Sequence, residues 1–248
     1  MHQKDKRRYA PLILFQCVPM KKIALTVAIC AALFAACRFS RPINITPHPV
    51  NGEADRFYQQ AVTLAESSYN LDSARKCMRL LDQAIAIDSL NPDYYGMKAR
   101  LLAETGRIDE ALTIQLRADS IGAINGEYLF QLGLFQAVKG KKEAAAISFE
   151  RSSDYLNAVL KRFPDSLGAF ILQQAAYSLY KGEDSLYMSD IVAIRKRFPN
   201  RLSEVEMSRR FKPYALITQI KMIEKQMLED DISLILNNLN DSIESLQN

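Results

Sequence analysis

The 248-residue chain has no tryptophan and only nine glycines, and its two histidines, His2 and His48, both fall in the first fifth of the sequence. Each scarcity excludes something. Without a histidine after position 48, no Ser-His-Asp or Cys-His arrangement can be assembled in the body of the protein. The glycines form neither G-x-G-x-x-G nor G-x-x-x-x-G-K-[ST], so the nucleotide-phosphate loops are missing. Of four cysteines, Cys17, Cys30 and Cys37 lie early and only Cys77 lies in the body, with no C-x-x-C pair, so zinc ligation has no ligand set. The net charge is +4, and the basic residues are scattered among acidic ones, so no nucleic-acid footprint is present. Carboxylates such as Glu229, Asp230 and Asp231 form a charge run that reads as a solvated helix end and not as a glycosidase pair. The sequence points to no enzyme, no cofactor and no metal.

What is present begins with an address. In MKKIALTVAICAALFAAC, at 20–37, Lys21 and Lys22 precede an uncharged apolar run from Ile23 to Ala36. Fourteen residues are too few for an ordinary bilayer span, which needs about 20, but they suit the apolar core of a secretory signal. Small residues Ala35 and Ala36 then meet Cys37. The segment resembles a bacterial lipoprotein signal peptide with FAAC as its lipobox, Phe34 standing where the family has leucine. The resemblance implies cleavage before Cys37 and lipid attachment at Cys37, a stable anchor because several acyl chains are added. An uncleaved signal anchor and a plain secretory signal are the other readings of the same residues. A second methionine with its own lysine pair makes Met20 the expected start and residues 1–19 an extension. Arg38 follows the cysteine where some bacteria place an inner-membrane retention aspartate, which favours the outer membrane, facing the periplasm. Residues 37–53 carry Pro42, Pro47 and Pro49 and read as a tether spanning up to roughly 50 Å of extended chain.

From Ala54 the chain reads helix after helix. Tyr95, Ala99 and Leu102 recur at helical spacing, Gly106 interrupts, and Ala111, Leu112 and Ala118 resume the pattern, which describes a helical hairpin. The punctuation repeats. Cys77, Ala111 and Ala145 are 34 residues apart, as are Ala84, Ala118 and Ser152, and so are Gly106 and Gly140. Small residues at such intervals belong where two helices approach. These positions resemble the tetratricopeptide repeat, whose period is 34 residues, with Ala99, Gly106, Ala111 and Ala118 in one unit and Leu132, Gly133, Gly140, Ala145 and Phe149 in the next. The spacing from Gly140 to Gly182 is 42, so about one extra helical turn plus a bend is expected between the third and fourth units.

KRFP occurs twice, at 161–164 and 196–199. Proline cannot continue a helix and disfavours helical geometry in the residue before it. Each copy therefore reads as a helix stop, with Phe163 and Phe198 packing back on the helix they end and the basic pair complementing its dipole. Two basic docking patches are the alternative. Beyond residue 200, Leu216, Ile220, Ile223 and Met227 form a stripe, continued by Ile232, Ile235, Leu239, Ile243 and Leu246. Residues 201–248 are expected to cap the stack, or else to supply a coiled-coil seam.

The expected architecture is thus all-α: a helical-hairpin solenoid like the tetratricopeptide repeats over 54–200, with C-terminal capping helices. The resemblance implies a concave groove, and its inner positions project onto Arg100, Phe130, Leu134, Leu172 and Tyr180. This lining is largely apolar and suits a helix or extended peptide, unless the C-terminal helices fold back and fill it. The function implied is a lipid-anchored scaffold binding an envelope protein or peptide. The alternative is a component that captures a ligand or polymer for an uptake or assembly system.

Overall fold

The computed structural model describes residues 50–67 and 70–247. Among these residues there are ten α-helices and no strand: α1 (Gly52–Ser67), α2 (Leu71–Ile87), α3 (Pro92–Glu104), α4 (Ile108–Ser120), α5 (Gly126–Val138), α6 (Lys142–Arg162), α7 (Leu167–Lys181), α8 (Ile191–Arg197), α9 (Leu202–Arg209) and α10 (Pro213–Gln247). Single 3-10 turns at Asp184–Leu186 and Pro199–Arg201 flank α8. The expected signal peptide and Cys37 lie outside the described residues. The expected tether loses its last two residues to α1, because Asn51 Oδ1 accepts from the backbone N–H of Glu53 and of Ala54 and starts the helix early.

Neighbouring helices pack in sequence order, α1 on α2, α2 on α3, and onward to α7, and the alternate helices α3, α5 and α7 also touch. Side chains cap most helix starts, including that of α2, where Asn70 and Ser73 form a reciprocal capping box. The helices that open a hairpin are capped by side chains: Asn91 for α3, Asn125 for α5 and Ser166 for α7. Two of the returning helices, α4 and α6, have no side-chain cap and instead follow a glycine with positive φ, Gly106 (76°) or Gly140 (74°). At both turns the glycine N–H donates to a carbonyl three residues back and the next N–H to one five residues back, Ala103 and Leu102 in one case, Ala137 and Gln136 in the other. This double closure needs a left-handed residue, which glycine adopts without steric cost.

The small residues spaced at 34 fill the interior. Cys77, Ala111, Ala145, Ala84, Ala118 and Ser152 are all buried. Gly133 is tight for the same reason: an added Cβ would sit 2.6 Å from the ring of Phe149 on α6. The eight-residue surplus between Gly140 and Gly182 is the length of α6, 21 residues against 13 for α4, so about two turns of continuous helix replace the expected single turn and bend. Buried polar pairs cross between and within hairpins, Gln115 Nε2 donating to Gln131 Oε1 at 2.9 Å and Ser148 Oγ to Gln136 Oε1 at 2.7 Å. Such pairs are costly if broken and hold neighbouring helices in one register.

The two KRFP segments both end helices, but their phenylalanines depart from expectation. Phe163 is 38% exposed beside Arg162, whereas Phe198 is 3% exposed and stacks on Phe170 of α7, centroids 5.3 Å apart. The second copy in fact docks on the first. Arg197 Nε and Nη2 donate to the carbonyl of Pro164 at 3.2 and 2.9 Å, and its guanidinium lies 4.9 Å from the Phe170 ring centroid.

Candidate interaction surface

Helices α3, α5 and α7 present one common side of the stack, and α10 lies across it. Its apolar stripe explains why: Leu216 and Ile220 are buried and Ile223 partly so. Three points along α10 fix its direction. Near its start the Tyr214 N–H donates to Asp184 Oδ1 at 3.2 Å, just after α7. One turn beyond Ile220, Glu224 Oε1 accepts from Lys139 Nζ at 3.0 Å, at the end of α5. Next, Met227 packs against Gly106, at the end of α3, so closely that a Cβ on the glycine would fall 2.6 Å from the Met227 Cβ. The helix therefore runs back along the stack instead of extending it past α9. Lys139 is the joint, since it also donates to Asp109 of α4 at 2.8 Å. The bond to Asp109, then that to Glu224, holds the Lys139 ammonium above its ordinary pKa.

Each residue projected onto the groove has a definite place. Phe130 and Leu134 of α5 and Leu172 of α7 are buried. Phe130 stacks against Phe149 of α6, centroids 5.7 Å apart, so its ring serves the hairpin interior. The side chain of Arg100 is 12% exposed and pairs with Glu104 at 3.6 Å, next to the buried thiol of Cys77. Tyr180 is half-buried, with Glu150 of α6 and the Lys181 ammonium as its neighbours. Phe130, Leu134 and Leu172 belong to the continuous core; none of the three forms an open lining in this conformation.

A different, shallow concavity lies open to solvent between α2 and α4, with α3 as its floor, and measures about 370 Å³. Met78 and Leu102 are its buried base, and Ile114 is partly buried beside them. Its rim carries Arg75, Arg79, Lys98 and Arg107 against the carboxylates of Asp82 and Glu110. Lys98 pairs with Asp82. Arg107 grips Glu110 with two hydrogen bonds of 2.6 Å, and the bond from Arg107 holds the Glu110 carboxyl below its usual range. Arg75 reaches only Asp72, at 3.6 Å, with both side chains more than half exposed. Arg79 is exposed and has no ion-pair partner among the described residues. The rim thus keeps two cations that the groove's own carboxylates do not neutralise. Sequence periodicity could not reveal it, because these charges come from three helices and sit together only after the hairpins stack.

Among the described residues, no group of three or more His, Cys, Asp or Glu is arranged to hold a metal ion, and no helix is long and apolar enough to cross a membrane. Comparison with family models, with curated proteins and with solved structures returns no match.

Proposed function

We propose that this chain is a non-catalytic, lipid-anchored interaction scaffold of the bacterial cell envelope, built like the tetratricopeptide-repeat proteins. The observation that carries the reading is the repetition of one device. Turns at Gly106 and Gly140, 34 residues apart, have the same closure, and the same buried small residues follow each of them. Stacked hairpins of this kind offer extended surface for partner segments in place of an enclosed reaction centre. The anchor rests on the sequence alone, on the basic head, the apolar run and Ala-Ala-Cys37.

The ligand-capture alternative draws less support. Phe130, Leu134 and Leu172, the apolar side chains that would line a carrier's channel, lie in the packed interior, with α10 laid over the helices that bear them. Photo-cross-linking in intact cells, followed by partner identification, tests the scaffold. It is expected to yield a recurrent envelope protein, and recovery of the bait alone from several surface positions would contradict it. Metabolic labelling with a palmitate analogue tests the anchor: the chain takes up label, and Cys37→Ala abolishes it.

A further inference from the structure

We infer that the groove between α2 and α4 receives the acidic C-terminal segment, residues 228–248, of a second copy of this chain. The inference rests on the scaffold reading and names one of the scaffold's partners.

Charge and apolarity match on both sides. The groove sets buried Met78 and Leu102 beneath a rim on which Arg75 and Arg79 of α2 have no carboxylate partner within the groove. At about 370 Å³ it falls within the range of ligand pockets, roughly 300–1,000 Å³. It is therefore suited to a few aliphatic side chains flanked by carboxylates. Residues 228–248 supply that chemistry: they include Glu229, Asp230, Asp231, Asp241 and Glu244, eight leucines and isoleucines, and no lysine or arginine, although within α10 Glu229 already faces Lys225 at 3.6 Å and Asp230 accepts from Gln226 at 2.9 Å. The backbone of this segment is helical to Gln247. Leu228, where the segment begins, is 60% exposed.

The donor must be another molecule. α10 packs on α3, α5 and α7 and passes Gly106 as a continuous helix. The groove lies between α2 and α4, and a straight helix cannot turn into it without breaking. Reciprocal exchange between two copies satisfies both grooves and closes the assembly as a two-fold dimer.

The test titrates detergent-solubilised full chain, at concentrations where it is monomeric, into a fluorescein-labelled synthetic peptide of residues 228–248. Fluorescence anisotropy should show saturable binding that weakens about tenfold between low and high salt, because exposed charge pairs are screened. The Arg75→Glu, Arg79→Glu double variant should bind at least about tenfold more weakly, and so should a peptide whose five carboxylates are replaced by amides. Both arginines are exposed on α2, so the variant is expected to keep its helical circular dichroism. A peptide with its carboxylates replaced by lysines should recover affinity for that variant. Absence of saturable binding at low salt, or equal binding by wild type and double variant, overturns the inference. If in-cell cross-linking still captures an envelope protein when the peptide does not bind, the scaffold reading stands and only this inference falls.

Discussion

Ala111 has no exposed surface, and Cys77 and Ala145 at the equivalent points have almost none. At this scale the fold rests on what a side chain must not be. Cys77 sits among the small residues, its thiol donating to the Ala61 carbonyl at 3.3 Å, and burial pushes its pKa up. A thiol reagent is therefore expected to label the Cys17, Cys30, Cys37→Ser chain only after urea unfolds it; labelling at the rate of a free thiol in native buffer would contradict the packing. The turn glycines allow a sharper comparison. Both Gly106 and Gly140 have positive φ, but an added Cβ meets Met227 at Gly106 and open space at Gly140. Gly140→Ala should cost about 1 kcal/mol for the backbone alone, and Gly106→Ala at least about 1 kcal/mol more, since α10 must shift. Urea unfolding of the two variants measures the difference, and equal costs would mean that α10 does not press on Gly106. These glycines and alanines were legible in the sequence because their spacing is regular. Gln115 and Gln131 were not, since a buried polar pair looks, in one dimension, like two surface residues.

Titration is a residue-scale property with a global readout. Burial pushes the Tyr155 hydroxyl up to about 12 and that of Tyr128 well above its ordinary value, while Asp109 and Glu224 raise Lys139. A group whose pKa is raised by folding stabilises the fold fully below its unfolded pKa and ceases to do so as pH climbs through the folded one. For tyrosine and lysine the unfolded values are near 10. Stability should therefore be flat up to about pH 9.5 and fall between about 10 and 12. Urea midpoints across that range check it, and a constant midpoint to pH 12 would contradict the burial of these groups.

At the scale of elements, the same four letters do two jobs. Proline stops α6 and α8 alike, which sequence reasoning could anticipate from backbone geometry. It could not anticipate that Arg197 would hold the Pro164 carbonyl and cover Phe170 while Arg162 lies over an exposed Phe163, because the difference depends on which helix lies opposite. Arg197→Ala should cost about 1–2 kcal/mol, because it removes a charge-assisted hydrogen bond and a cation–π interaction at once. Arg162→Ala should stay within about 0.5 kcal/mol. Thermal denaturation separates the two, and equal destabilisation would show that the KRFP copies are mere helix stops. The length of α6 was foreshadowed by the 42-residue glycine interval, although the interval alone could not distinguish a longer helix from a longer loop.

At the scale of the molecule, the decisive element is α10. Its stripe at Leu216, Ile220, Ile223 and Met227 showed that the helix packs, but amphipathicity specifies a face and not its partner, so end-capping and back-folding read alike. The structure takes the second course, and this determines which surfaces stay open. With α10 across α3, α5 and α7, the surface left uncovered is the outer one, including the groove between α2 and α4. The most direct measurement replaces Lys139 and Glu224 by cysteine in a chain whose native cysteines are serine, and adds a short bifunctional maleimide at high dilution. The wild-type side chains meet at 3.0 Å. The account predicts a link within one molecule, joining an α5 peptide to an α10 peptide in the mass spectrum. No link, or links only between molecules, would mean that α10 does not lie across the stack, and the account would fail with it.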